Sequence, residues 1–515
     1  MKDIVIGKHT LESLTSGMYS DPFVVFREYI QNATDSIDAA YKEKVLSKNG
    51  DRIEIGLNPA EKKIVIKDNG LGIPSTSAEK ELVSIGNSSK NSANDRGFRG
   101  IGRLSALSYC SELTFETSYA GEPIKSKVSF NARELTRLLS EDDGVDTSAS
   151  DVLSQICSFE VFPESSDQHY FIVTMDGVTE SSGLNSYDEV SSYLSQNVPV
   201  PYSPDFTWGR EIVKRLKNEG YYEKKYNVYL SLGNKTEPIY KPYHDTFLAD
   251  KGKNLQDSIK DISVVSIRSP DNKLFIVGWI AKTSYLGSIY DKSIKGLRLR
   301  KGNILIGDNQ TLNIIFKDAR FNGWSVGELF AIDSKLIPNA RRDDFEKNEA
   351  YFYMIEHLVQ LASSITKDIR AASLKRNSEL ENSARRTEQL LHEANVSVKN
   401  GIHSAQKAKL KKKASDEIAA LTKISVRDEG AQYNRDLLFE DLDIIIGKIH
   451  GATEFKSINL MTGLSTSEKK ILEKIFTGII AYDAEKSSAL IDFLLQYYVN
   501  HGSNQEREVY VNVPE

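Results

Sequence analysis

The sequence predicts an α+β chain, with two α/β portions followed by an all-α C-terminal region. Three observations lead there. Residues 9–45 carry a helical apolar period and run into short alternating strand patterns at 52–57 and 63–67. After Val198-Pro199-Val200-Pro201 the chain changes to a longer series of alternating strands. From residue 350 onward it is helical, with few prolines or glycines to interrupt it.

Taken in order, the first helical stretch breaks near Ser20-Asp21-Pro22, where Asp21 suits an N-cap and Pro22 a first turn. Asn58-Pro59-Ala60 separates the next two strands, which predicts a hairpin that delivers Asp68 to a sheet edge. Residues 74–96 are rich in Ser, Asn and Lys without an apolar period, and read as a mobile loop covering a site. Strands are expected at 112–118, 125–130 and 169–175, and a helix at 186–196. These elements make up a first domain, 1–205.

A second α/β domain is expected over 206–350, with strands at 226–232, 262–267 and 274–281. Its hairpin at 296–306 turns at Lys301-Gly302-Asn303. Long polar helices follow over 351–430, then a helical unit over 431–515 with enough Ile, Leu and Phe for a small core or an interface. Within 365–427 there are 14 Lys/Arg against 7 Asp/Glu, a net of about +7, densest at Lys407, Lys409, Lys411, Lys412 and Lys413. That run reads as a solvated helix face; the alternative is contact with nucleic-acid phosphates. His392 and His403 read as solvated helix residues.

The composition is that of an ordinary soluble protein: 40% hydrophobic, 27% charged and a net charge of -6 over 515 residues. This excludes a chain that is basic throughout. The two cysteines, Cys110 and Cys157, lack metal-ligand spacing and fit a reduced, cytoplasmic setting with structural thiols. No apolar run approaches the roughly 18 residues of a membrane span, so no membrane partner is expected.

Four segments ending by residue 103 carry the chemistry. They are Arg27-Glu28-Tyr29-Ile30-Gln31-Asn32-Ala33-Thr34-Asp35, Lys67-Asp68-Asn69-Gly70-Leu71-Gly72-Ile73, Ser88-Ser89-Lys90 and Gly97-Phe98-Arg99-Gly100-Ile101-Gly102-Arg103. Glu28 and Asn32 lie one helical turn apart on one face. A glutamate can take the proton of an attacking water, and an amide carbonyl suits Mg²⁺, which takes few protein ligands beside phosphates. Asp68, ending a strand before Gly70 and Gly72, suits the exocyclic amine of a base that the backbone approaches closely. Gly97, Gly100 and Gly102 open a helix expected at 103–107, whose first N–H groups favour phosphate, with Lys90 and Arg99 adding charge. Alone, each segment has a commoner reading: a surface helix, an Asp-Asn-Gly turn, a glycine-rich linker. In this order they point to a site for ATP.

The set resembles the GHKL superfamily of ATPases, which includes gyrase-type topoisomerases, MutL mismatch-repair proteins, MORC proteins, sensor histidine kinases and the ninety-kilodalton heat-shock chaperones. Residues 10–40, with Tyr19-Ser20 and Phe26-Arg27-Glu28 through Asp38, are most similar to the chaperone branch. Gly97-Phe98-Arg99-Gly100 followed by Leu104-Ser105-Ala106 looks more like MutL. The resemblance implies a Bergerat-type α/β sandwich that binds ATP with Mg²⁺. In it Glu28 would be the general base, Asn32 the magnesium ligand and Asp68 the adenine contact. Asp35, Gly70 and Gly72 would line the nucleotide, and Lys90 with Gly97, Arg99, Gly100, Gly102 and Arg103 would meet the phosphates. The chaperone branch has an aromatic residue where Arg103 stands. Thr174 would match a threonine near the adenine.

The resemblance extends to Gly327-Glu328-Leu329 and to Leu336-Ile337-Pro338-Asn339-Ala340-Arg341-Arg342-Asp343-Asp344-Phe345, which are similar to the end of a chaperone-type middle domain. There an arginine reaches the γ-phosphate, and Arg342 aligns best with it. Read from the residues alone, Arg341, Arg342, Asp343 and Asp344 could equally form a surface salt-bridge cluster. The superfamily implies an ATP-hydrolysing homodimer that closes as a clamp on a protein client. The alternatives are a nucleic-acid clamp in genome maintenance or antiphage defence, and an ATP-gated scaffold for an effector.

Overall fold

Strand alternation builds the first sheet. In β1 (Ile53–Asn58) the side chains of Ile53, Ile55 and Leu57 are buried, and in β2 (Lys63–Asp68) those of Ile64 and Ile66 are. The two pair antiparallel, Ile53 opposite Asp68 and Asn58 opposite Lys63, as the hairpin pattern predicts. With β3 (Glu112–Ser118), β4 (Ile124–Asn131), β5 (Cys157–Pro163), β6 (Tyr170–Asp176), β7 (Val228–Leu232) and β8 (Lys235–Pro238) they form an eight-stranded sheet ordered β5-β4-β3-β6-β2-β1-β7-β8. The computed structural model describes residues 6–15, 21–84, 102–140, 147–250, 255–426, 429–455 and 465–482.

Two features differ from the sequence reading. Asp68 ends a strand but not at a sheet edge, because β6 pairs along the other side of β2. The strand expected to open the second domain, β7, lies parallel to β1, with Ile53 opposite Val228. Neither is visible locally, since each depends on a partner strand far along the chain.

Helix α1 (His9–Thr15) and helix α2 (Val24–Lys42) follow the expected break, with the Phe23 N–H donating to Asp21 Oδ1 at 3.0 Å. Phe26, Tyr29, Ile30, Ala33 and Ile37 of α2 join the strand side chains in one core, each large aliphatic or aromatic side chain contributing about 1.5–3 kcal/mol. The loop expected over 74–96 begins instead as helix α3 (Ser75–Val83), which buries Ala78 and Leu82; the rest of it lies outside the described residues. Two apolar positions one turn apart were too few to see as a period. Short helices α4 (Ala132–Ser140) and α5 (Ala149–Ile156) and then α6 (Tyr187–Asn197) complete this layer.

Beyond it, α7 (Gly209–Asn218) and the hairpin of β9 (Thr246–Asp250) and β10 (Leu255–Ser258) accompany a second sheet. That sheet contains β11 (Asp261–Arg268), β12 (Leu274–Lys282), β13 (Gly296–Lys301), β14 (Ile304–Ile306) and β15 (Val326–Ala331), ordered β11-β12-β15-β13-β14. Its core includes Ile212, Leu216, Tyr243, Trp279 and Phe330.

Among the described residues five helices follow: α8 (Glu349–Arg376), α9 (Ser378–Asn400), α10 (Ser404–Lys423), α11 (Glu429–Gly451) and α12 (Thr466–Tyr482). The fold class is α+β, as expected. The chain divides into two compact units, 1–367 and 368–515. In the second, α9, α10 and α11 share a core that includes Leu380, Leu390, Leu410, Leu421, Leu442 and Ile445. Among the described residues no helix is long and apolar enough to cross a membrane.

Candidate nucleotide site

Two faces of helix α2 shape the site. Its sheet-facing side is apolar, as above. A second face holds Asn32, Asp35 and Ser36, all half-buried. Glu28 continues that face but is only 9% exposed. What covers it comes from elsewhere in the chain. A Cβ on Gly102 would lie 2.2 Å from Glu28 Oε2, so only glycine permits this approach. Arg342 Nε lies 3.8 Å from Glu28 Oε1, and Arg27 lies 3.5 Å from the same oxygen.

The segment that carries Arg342 is well anchored. Pro338 and Phe345 form an antiparallel bridge, the Gly307 N–H donates to Arg342 O at 2.8 Å, and Arg27 donates to Arg341 O at 3.0 Å. Arg342 has φ of 59°, a left-handed conformation rarely held by a non-glycine residue. Such a conformation persists where the surroundings over-determine it, often at functional sites. The Arg342 side chain is only 11% exposed and lies beside Glu28, so it is not part of a solvated surface cluster. The carboxylates of Asp343 and Asp344 have other partners, accepting from Asn339 Nδ2 at 2.5 Å and Tyr351 OH at 3.4 Å.

Asp68 is 4% exposed, and its Oδ1 accepts the Gly70 N–H at 2.8 Å. The turn that follows is tightly packed. A Cβ on Gly70 would fall 2.2 Å from Ser36 Oγ, and one on Gly72, whose φ is +77°, would fall 2.0 Å from Ser118 O. The Leu71 N–H donates to Ser36 O at 3.2 Å, and His169 Nδ1 donates to Gly70 O at 2.8 Å. The glycine segment thus lies directly against the half-buried face of α2.

Thr174 does not join this group. It pairs with Val65, while Asp68 pairs with Phe171, so the strand pleat places Thr174 on the opposite side of the sheet. The threonine on the Asp68 side is Thr117, opposite Phe171 in the next strand, with its Oγ1 accepting the Ile73 N–H at 2.8 Å. Counting the period-2 alternation through β3 would have found it.

The helix expected at 103–107 is a 3-10 turn, Gly102–Ser108. Tyr29 OH donates to Arg103 O at 2.7 Å and ties this turn to α2. Burial pushes the Arg103 guanidinium below its ordinary value, partly offset by Glu81 and Tyr29. Burial likewise raises the Tyr29 hydroxyl well above its usual value. Lys90, Gly97, Arg99 and Gly100 lie outside the described residues, as do Tyr19 and Ser20. Among the described residues no group of three or more His, Cys, Asp or Glu side chains is placed to hold a metal ion.

The family model described as "Histidine kinase-, DNA gyrase B-, and HSP90-like ATPase" matches residues 19–146, which span Glu28, Asn32, Asp68 and Gly102. The N-terminal domain is a GHKL-type ATPase domain. Two curated chaperone proteins named HtpG are similar to the chain. One, from Halalkalibacterium halodurans, is 24% identical over 257 residues, covering 42% of this chain and 40% of its own length. The other, from Polaromonas naphthalenivorans, is 29% identical over 131 residues, covering 22% of this chain and 21% of its own. The chain thus spans less than half the length of either relative. The likeness agrees with a heat-shock-chaperone branch for the GHKL domain.

A buried ionic cluster beside the second sheet escaped the sequence reading. Glu328 of β15 accepts from Lys241 Nζ and Tyr202 OH, each at 2.7 Å, and from Arg300. Lys241 also pairs with Glu223 at 2.5 Å, and Arg300 donates to Gln196 O at 2.8 Å. Only the placement of a charged Glu328 in an otherwise apolar strand pattern hinted at it.

Proposed function

We propose that the chain binds Mg²⁺–ATP, hydrolyses it, and uses the cycle to drive a dimeric, chaperone-like machine acting on a protein partner. The observation that carries this reading is the convergence of Glu28, Gly102 and Arg342, three positions far apart in sequence. Asn32 would serve as magnesium ligand and Asp68 would accept from the adenine amine, with Asp35, Gly70 and Gly72 lining the nucleotide. Gly102 and Arg103, with Lys90, Gly97, Arg99 and Gly100, would meet the phosphates. The fit is supported by the close approaches at Gly70, Gly72 and Gly102, which leave backbone where side chains would stand. Bound magnesium would neutralise phosphate charge.

Glu28 would take a proton from water as the water oxygen bonds to the γ-phosphorus and the bond to ADP breaks. With Arg342 beside it, Glu28 is held by a cation. Movement of Arg342 to the γ-phosphate would leave Glu28 with one cation, Arg27, in place of two and would stabilise the developing charge. Glu28→Ala is expected to bind ATP with near-native affinity and to lose turnover; appreciable residual hydrolysis would place the base elsewhere.

The name "chaperone protein" of both relatives supports a protein client. The lysine run gives nucleic acid less purchase than its composition suggests. Lys407 donates to Ala452 O at 3.1 Å and pairs with Glu454 at 3.0 Å, Lys411 lies 3.4 Å from His450, and Lys413 pairs with Glu393. Turnover measured with and without double-stranded DNA at two salt concentrations tests this. Salt-sensitive stimulation would favour the nucleic-acid clamp over the protein partner.

A further inference from the structure

Gln31 is fully buried on α2, and among the described residues neither its amide nitrogen nor its amide oxygen has a hydrogen-bond partner. A buried polar group left unpaired costs more than an ordinary hydrogen bond contributes, and a leucine of similar size would incur no such cost. The local helix does not explain it, since Thr34 Oγ1 bonds the Gln31 backbone carbonyl at 2.8 Å and leaves the amide aside.

Its position does suggest a role. Helical period places Arg27, Gln31, Thr34 and Asp38 on one stripe of α2. Later segments hold both ends of that stripe. Arg27 donates to Arg341 O, and Asp38 accepts from Lys224 Nζ and Tyr226 OH, each at 2.6 Å. Glu28 lies three residues before Gln31, near enough on the helix surface for their side chains to meet.

We propose that Gln31 is a positioning residue for hydrolysis, whose amide N–H takes over the Glu28 carboxylate when Arg342 leaves it for the nucleotide. This rests on the ATPase reading above. Once Arg342 leaves, Glu28 keeps only the 3.5 Å contact from Arg27, which also donates to Arg341 O, and a buried carboxylate so thinly held gains from a further donor. An uncharged donor orients Glu28 without adding a second positive charge to that of Arg27, so the carboxylate stays able to accept the proton of the attacking water. Gln31 gives up no proton; the water proton passes to Glu28, and the electron pair of the broken bond leaves with ADP.

The test uses Gln31→Leu and Gln31→Met in the full chain, measuring thermal midpoint, equilibrium Mg²⁺–ATP affinity, kcat and KM. Both variants are expected to melt several degrees higher, to bind ATP within about twofold of native, and to lose tenfold or more in kcat with little change in KM. A more stable variant with unchanged kcat would overturn the proposal, because the amide would then be only a buried cost. Lower stability together with lost binding in both variants would overturn it as well, by showing a packing role. Failure of the underlying reading looks different: the native chain would bind ATP without turnover, and the inference would fall with it.

Discussion

The Arg342 guanidinium lies 3.8 Å from the Glu28 carboxylate, with both side chains only 11% exposed. One residue sits on the helix of the GHKL domain and the other on a loop that follows the second sheet. The contact joins the predicted base to the predicted phosphate cation, so any movement that parts them changes both roles together.

Arg342→Ala is expected to leave ATP binding within a few-fold of native and to lower kcat about 10²–10³-fold, the usual cost of removing one preorganised charge-stabilising donor. Equilibrium nucleotide binding and steady-state turnover on the same preparation check it. An unchanged rate would assign the phosphate cation to another residue.

Gly102→Ala tests the covering of Glu28. The added Cβ would meet Glu28 Oε2 at 2.2 Å and its Cδ at 2.8 Å, and a glutamate side chain can swing away. The fold should survive, with the melting temperature changed by no more than a few degrees. Turnover should fall on the order of 10²-fold, as misplacement of a reacting group by about 1 Å costs that much. Comparing the melt with kcat separates the two effects.

The cluster around Glu328 governs stability in acid. Burial opposes its ionisation, but Arg300 and Lys241 outweigh that and hold the carboxyl down to about 2 from an ordinary 4.5. Burial pushes the neighbouring Glu223 carboxyl up. Because the folded value of Glu328 is depressed, its contribution is fully present above about pH 4.5 and is lost as pH falls toward 2. Glu328→Gln should destabilise the neutral-pH fold by roughly 3–5 kcal/mol by leaving buried cations uncompensated. It should also lose less than the native chain between pH 4.5 and 3. Urea denaturation at several pH values measures both.

Neither cysteine should be reactive in the folded chain. Burial pushes the Cys110 thiol up to about 12, with Asp176 and Glu112 adding to it. Burial likewise raises Cys157 to about 11, with a smaller push from Glu79. Iodoacetamide at pH 8 should therefore label both slowly in the native state and fully in guanidinium, since the thiolate is the reacting form. Rapid native labelling of Cys110 would contradict the burial described.

Much of the architecture was legible because it is local. The hairpin of β1 and β2, the span of β3 and the apolar stripe of α2 follow from periods of two and 3.6 residues within one short segment. Placing β7 beside β1, or setting β6 along the other flank of Asp68, needs pairings with no local signature. The choice of Thr174 failed for a related reason. Resemblance placed it, whereas the pleat of β6 turns it from Asp68 and leaves Thr117 on that side.

The sequence by itself determined which chemical groups exist and in what local order. Glu28 and Asn32 stand one turn apart on a helix, Asp68 ends a strand, and glycines stand where backbone must come close. Tertiary structure alone decided what those groups face. It set Gly102 and Arg342 against Glu28, drew Lys241 and Arg300 around Glu328, and buried the Gln31 amide without a partner among the described residues. The reason is physical: desolvation and charge pairing depend on segments brought together only by packing, while helix and strand period depend on neighbours in the chain.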